Sequence, residues 1–270
     1  MKKLMFVAMV AIGATAFAQL ESSNIVGYQT SALNCESAET ADVYNMLSVP
    51  FTGVNGGNVA VSDLQFTNVV RGDGPQECDF IQVWDGNGGF NSYYCYTDDG
   101  LWYNAVTDVP MSDDYASGIA PGSAMWYLAW VSDAREGVPA FTVSGAISTQ
   151  ADTTFTLTSA STETADVYNM LGNPYPTAWS PDNSEQCVIE NAVRGDGPQE
   201  CDFIQVWDGN GGFNSYYCYT DDGLWYNAVT DVSITEDYPN GIPSGTAMWY
   251  LAWVADRAGD LKITFKNPIK

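Results

Sequence analysis

Three observations predict an all-β fold of two tandem antiparallel β-sandwich or barrel-like domains arising from internal duplication. Residues 70–109 recur letter for letter as residues 193–232, forty positions at an offset of 123. Short runs of aromatic and β-branched residues alternate with clusters of Gly, Asp and Pro. Beyond the N-terminal segment, no stretch keeps a 3.6-residue apolar period.

In chain order, residues 1–18 come first: Lys2 and Lys3, an apolar run, then Ala16-Phe17-Ala18. This is the order of a secretory signal peptide, with cleavage expected after Ala18. Its apolar run is too short to span a bilayer, as is every later one, and Gln19 after the cut offers no cysteine for lipid attachment. The expected location is secreted, extracellular or at the cell surface, with the periplasm open. The following "ESSNIVGYQTSAL" alternates apolar and polar residues. It is expected to pair with the edge of its own domain or to add a strand to a neighbouring molecule.

The first copy of the β domain is assigned to residues 19–148 and the second to 149–270. "ETADVYNML" (from Glu39 and Glu163) and "AMWYLAWV" (from Ala124 and Ala247) extend the likeness beyond the forty-residue block. Units of about 120 residues can each own a hydrophobic core. Within a unit, "FIQVW", "FNSYYCY", "LWYNAV" and "AMWYLAWV" read as strands, bounded by "DGNGG", "TDDG" and "APGS" or "PSGT" turns.

Six cysteines in an exported chain point to disulfides. A four-residue turn over residues 85–88 makes opposing positions sum to 173, so Cys78 faces Cys95 and Cys201 faces Cys218. Directly opposed strand residues lie within reach of a disulfide. Cys35 and Cys187 lie in copy-specific stretches and either bridge the domains or pair with other molecules.

Seven basic against 33 acidic residues beyond residue 18 give a net charge of −26. Such a polyanion is repelled by nucleic acid and by anionic lipid, which excludes nucleic-acid partners and direct membrane contact. The acidity fits either solubility in a salty exterior or binding of a divalent cation. For calcium the candidates are Asp85, Asn87, Asp98 and Asp99 with their copies Asp208, Asn210, Asp221 and Asp222, weighed against plain hairpin turns.

No histidine is present and the mature lysines are Lys262, Lys266 and Lys270, which removes Ser-His, Cys-His and Ser-x-x-Lys nucleophiles. The expectation is a protein that is not an enzyme and has no cofactor apart from calcium. A pair of glycosidase carboxylates is defined in space, so the sequence leaves it open. Arg71-Gly72-Asp73 and Arg194-Gly195-Asp196 read as turns between strands. Trp102, Tyr103, Trp225 and Tyr226, after an acidic turn, are candidates for a sugar-stacking platform, although most aromatics are needed for the core.

In the second copy "YNMLGNPYPTAW", "FIQVWDGNGGFNSYY" and "GIPSGTAMWYLA" follow in order. The series resembles a β-rich module of secreted and cell-surface proteins of Gram-negative bacteria. That module carries an "N-L-I-G-N-P-Y-P" strand and turn, a "Y-V-W-D" strand and an "I-P-P-G-x-x-F-F" strand. The first copy departs at the opening motif, with "YNMLSVPFTGV". The resemblance implies a non-catalytic module of adhesive or surface-layer proteins. The expected function is a secreted structural or interaction protein of the bacterial cell surface or extracellular matrix, partnered by itself or other surface proteins. The alternative is a tandem carbohydrate-binding protein with glycan partners.

Overall fold

The computed structural model describes residues 25–37, 40–148, 151–162 and 164–269, and the expected signal peptide lies outside them. The first copy contains β1 (Ile25–Ala32), β2 (Asp42–Ser48), β3 (Leu64–Thr67), β4 (Phe80–Trp84), β5 (Phe90–Cys95), β6 (Trp102–Asn104), β7 (Ala124–Trp130) and β8 (Ala140–Ile147). The second contains β9 (Thr153–Thr156), β10 (Asp166–Gly172), β11 (Cys187–Glu190), β12 (Phe203–Trp207), β13 (Phe213–Cys218), β14 (Trp225–Asn227), β15 (Ala247–Trp253) and β16 (Lys262–Phe265). One-turn helices α1 (Met111–Asp114) and α2 (Ile234–Asp237) follow β6 and β14.

The strands form four antiparallel sheets. Each copy has a five-stranded sheet, β2-β7-β4-β5-β6 or β10-β15-β12-β13-β14, and a three-stranded one, β1-β8-β3 or β9-β16-β11. The expected all-β class and duplication therefore hold at the level of topology. β1 pairs along its length with β8, so the N-terminal strand completes its own copy's sheet.

Along β7 the five-stranded sheet is buried on both faces. From β7, Met125, Tyr127 and Ala129 join Leu64, Phe141 and Val143 of the three-stranded sheet in one core. The alternate residues Ala124, Trp126 and Leu128 join Met170 and Ala247 of the other copy. Burial on both sides explains why "AMWYLAW" is an uninterrupted apolar run, whereas β8, "AFTVSGAI", alternates. The four sheets are arranged as the blades of a four-bladed propeller, with a core between the five- and three-stranded sheets of each copy and another between the two five-stranded sheets.

The contact between copies is self-complementary. Trp84 stands edge-on to Trp249 at 5.1 Å, and their counterparts Trp207 and Trp126 repeat the contact at 5.1 Å. Ser48 N–H donates to Gly245 O (2.8 Å) and Gly172 N–H to Gly122 O (3.0 Å), again equivalent positions exchanged. Such reciprocity is that of a two-fold dimer interface held within one chain. Near the pseudo-axis, the equivalent residues Ser48 and Gly172 meet each other. A Cβ on Gly172 would lie 2.2 Å from Ser48 Cβ, so only one of the two can carry a side chain. This is the sole difference between the "DVYNMLS" of β2 and the "DVYNMLG" of β10.

The hairpin register corrects the expected disulfides. Asp85 N–H bonds Gly89 O, and the β4–β5 pairs run from Trp84↔Phe90 to Phe80↔Tyr94, a sum of 174. Asp85 Oδ1 accepts the N–H groups of Asn87 (2.7 Å) and Gly89 (3.0 Å), and Gly86 and Gly88 take positive φ, which fixes a three-residue loop. One residue of slip puts Asp79 opposite Cys95 and leaves Cys78 outside the ladder. All six cysteines are free thiols. Cys187 is buried in the second core while Cys35 packs against the first, so no bridge joins them.

Asp79, fully buried, is the hub of a polar latch. It takes both terminal nitrogens of Arg135 (2.6 and 3.0 Å), the N–H groups of Val70 and Trp130, and the Tyr127 hydroxyl. Asp202 repeats this with Arg257, Val193, Trp253 and Tyr250. Burial first, then the neighbouring carboxylate, raises the Tyr127 and Tyr250 phenols.

Candidate functional site

The forty-residue block builds β4, β5, β6 and their loops. The core accounts for Ile81, Val83 and Tyr93, and the contact between copies accounts for Phe80, Trp84 and Phe90. Neither accounts for a group formed because β5 and β6 pair Tyr94 with Tyr103, placing both rings on one face, with Tyr96 two residues along; Tyr94 is buried, at 6% exposed, and Tyr96 and Tyr103 are half-buried. The Tyr96 and Tyr103 ring centroids are 5.6 Å apart, and Tyr94 lies 6.3 and 6.4 Å from them.

Each hydroxyl donates to a carboxylate: Tyr103 to Asp99 (2.8 Å), Tyr96 to Asp98 (3.3 Å) and Tyr94 to Asp108 (3.3 Å). The second copy reproduces the group with Tyr226–Asp222, Tyr219–Asp221 and Tyr217–Asp231 at the same three distances. The Leu101 N–H, before other causes, lowers the Asp99 carboxyl, and the hydrogen bond to Asp99 raises the Tyr103 phenol. Beside the group, Asn104 Oδ1 accepts the N–H of Val106 (3.0 Å) and of Thr107 (3.2 Å), a turn that leaves Val106 89% exposed. Its copy Val229 is 90% exposed.

Arg71 lies over the acidic turn: a Cβ at Gly100 would meet its Cζ at 2.6 Å, and Gly100 has φ +71°. Gly72 is tied to the end of β5 through its N–H to Cys95 O (3.0 Å) and its carbonyl from Thr97 N–H (3.1 Å). The Arg-Gly-Asp triplet is thus part of the fold, with Arg71 folded back onto Gly100.

The structure places both sets of expected site residues. Trp102 is half-buried against the first core, edge-on to Phe66 at 5.3 Å, while Trp225 is 2% exposed and offers no stacking face. Tyr103 and Tyr226 do belong to the surface groups. The calcium candidates do not converge: Asp85 and Asp208 cap their own hairpins, while Asp98, Asp99, Asp221 and Asp222 take tyrosine hydroxyls. Asn87 and Asn210 turn back to the Asp85 and Asp208 carbonyls. Among the described residues, no three His, Cys, Asp or Glu side chains gather as metal ligands. The residues the sequence reading passed over, Tyr94, Tyr96, Asp108 and their copies, carry a signal in "YCY". That i, i+2 tyrosine pair points the same way once β6 is placed beside it.

Fold and site together define a duplicated all-β protein with two like surfaces of tyrosine and aspartate. Comparison with protein-family models, curated proteins and solved structures gives no match.

Proposed function

We propose that the chain is a secreted, non-catalytic interaction protein of the bacterial cell surface or extracellular matrix. In this reading its two copies, held rigidly together, present two like acidic tyrosine faces to a basic, arginine-bearing protein partner. The observation that carries it is the repetition in the second copy of the Tyr94–Tyr96–Tyr103 group with its three aspartates, in which half-buried Tyr96 and Tyr103 and exposed Asp98 and Asp99 surround a buried Tyr94. Arginine suits such a face because it stacks on aromatic rings and pairs with carboxylates. Two sites on one rigid body add avidity when both engage. The absence of histidine from the sequence and the engagement of the clustered carboxylates with hydroxyl and N–H donors support a non-catalytic role. Each copy is best read as a β-sandwich. The four antiparallel sheets are arranged as a four-bladed propeller, and the core shared by the five- and three-stranded sheets of each copy is what supports the sandwich reading within it.

The test measures binding of arginine-rich and lysine-rich peptides of equal charge to the mature chain. The variant with Tyr96, Tyr103, Tyr219 and Tyr226 changed to Ala keeps every charge. Preference for arginine, weakened about tenfold in that variant, is expected. Equal binding of both peptides by both proteins would reduce the interaction to net charge and overturn the reading.

A further inference from the structure

Where the copies meet, residues 33–37, 40 and 42–44 face the β12–β13 hairpin across a cavity of about 850 Å³. That volume lies within the roughly 300–1,000 Å³ of small-ligand sites, which favour boundaries between domains. Tyr44 and Trp207 supply its aromatic surfaces. Both are braced edge-on by Trp126, at 5.7 and 5.1 Å, yet Tyr44 remains 43% exposed. Asn34, Thr40, Asn210 and Asp42 line it with polar side chains; the Asn210 amide nitrogen and the Thr40 hydroxyl donate within the walls, to Asp208 O and Asp42 O, so amide, hydroxyl and carboxylate oxygens are what these residues offer, and no Lys or Arg lines the space. Asn34 Nδ2 donates to Gly209 O, tying one wall to the other. The counterpart of Asn34 is Thr158, which has no amide to make that tie, so the site belongs to this side of the molecule alone.

We propose that this cavity binds a short neutral or amino-sugar oligosaccharide. Ring faces suit the C–H surface of a sugar, and side-chain amides and carboxylates match its hydroxyls. Acidic walls without a cation disfavour phosphorylated, sulfated or uronic-acid chains. The site is separate from the two tyrosine faces and does not depend on what they bind.

Calorimetric titration of the mature chain with neutral, amino-sugar and uronic-acid oligosaccharides tests the proposal. Neutral or amino sugars are expected to bind, with affinity reduced about tenfold or more by Tyr44→Ala or Asn210→Ala. Tyr103→Ala with Tyr226→Ala should leave that affinity unchanged. Thr40→Ala, an exposed change, gives a third reading should either of the others unfold the protein. No binding at millimolar sugar, preference for acidic chains, or a loss that follows Tyr103 and Tyr226 would each overturn it.

Discussion

The inner and outer sheets have drifted apart by different amounts since they were duplicated. The inner strands repeat almost letter for letter, with "FIQVW", "FNSYYC", "WYN" and "AMWYLAW" in both copies. The outer strands share little: β3 is "LQFT" against "CVIE" in β11, and β1 is "IVGYQTSA" against "TTFT" in β9. The difference follows from what each face touches. An outer sheet packs only on its own copy, so a change in it can be absorbed locally. An inner sheet packs on its own core and also on its equivalent, so a substitution in it disturbs two packed faces at once. The exception proves the geometry, because Ser48 and Gly172 differ only where the equivalents collide. The tyrosine and aspartate groups at the β5–β6 and β13–β14 edges lie outside this constraint, and their identity is what makes them candidates for a shared partner.

The largest effect should come from the latch, which links an inner sheet to a diverged connection. Asp79→Ala leaves the Arg135 side chain, 5% exposed, without its counter-ion. A loss of about 3–5 kcal/mol is expected in urea unfolding, with a like loss for Asp202→Ala. A loss below about 1 kcal/mol would mean the pair contributes no more than a surface bridge. A smaller effect should come from the pseudo-axis. Gly172→Ser places two side chains where one fits and should cost about 1–3 kcal/mol. Adding Ser48→Gly should restore stability by moving the single side chain to the other copy. If the exchanged pair stays as unstable as Gly172→Ser alone, the two positions do not meet as equivalents.

Much of this architecture was legible in the sequence. The forty-residue repeat gave the duplication, and the contrast between "AMWYLAWV" and "AFTVSGAI" holds the inner and outer burial patterns, since a run without alternation needs two covered faces. The hairpin register was not legible, because "DGNGG" accommodates a three- or a four-residue loop. The Asp85 side chain, by capping two N–H groups, selects the shorter one. The latch was hidden because Arg135 and Arg257 are offset by 122, one short of the repeat, within unlike segments. Trp102 and Trp225 read as surface residues from their acidic neighbours, yet β6 and β14 turn both indoles toward the cores.

The smallest effect concerns the segment between β10 and β11, where the copies differ most. There Asp182 Oδ1 accepts the Trp225 N–H (3.0 Å), and Trp225 is buried where the same residue in the first copy, Trp102, is half-buried. Burial pushes the Asp182 carboxyl up to about 6 from 3.8, against the lowering by that N–H. Between those values the folded chain holds a proton that the unfolded chain has released. This carboxyl's contribution is therefore present at about pH 4 and is lost as the pH rises through about 6. Asp182→Asn keeps an acceptor for Trp225 and cannot ionise. Thermal unfolding of the two proteins across this range should show the wild type falling by about 2–4 °C relative to the variant. Parallel curves would assign the pH dependence to other carboxyls and leave Asp182 as a neutral cap on β14. A wild type that gains on the variant as pH rises would mean that Asp182 is stabilised in its charged form, and that the loop over Trp225 is open to water.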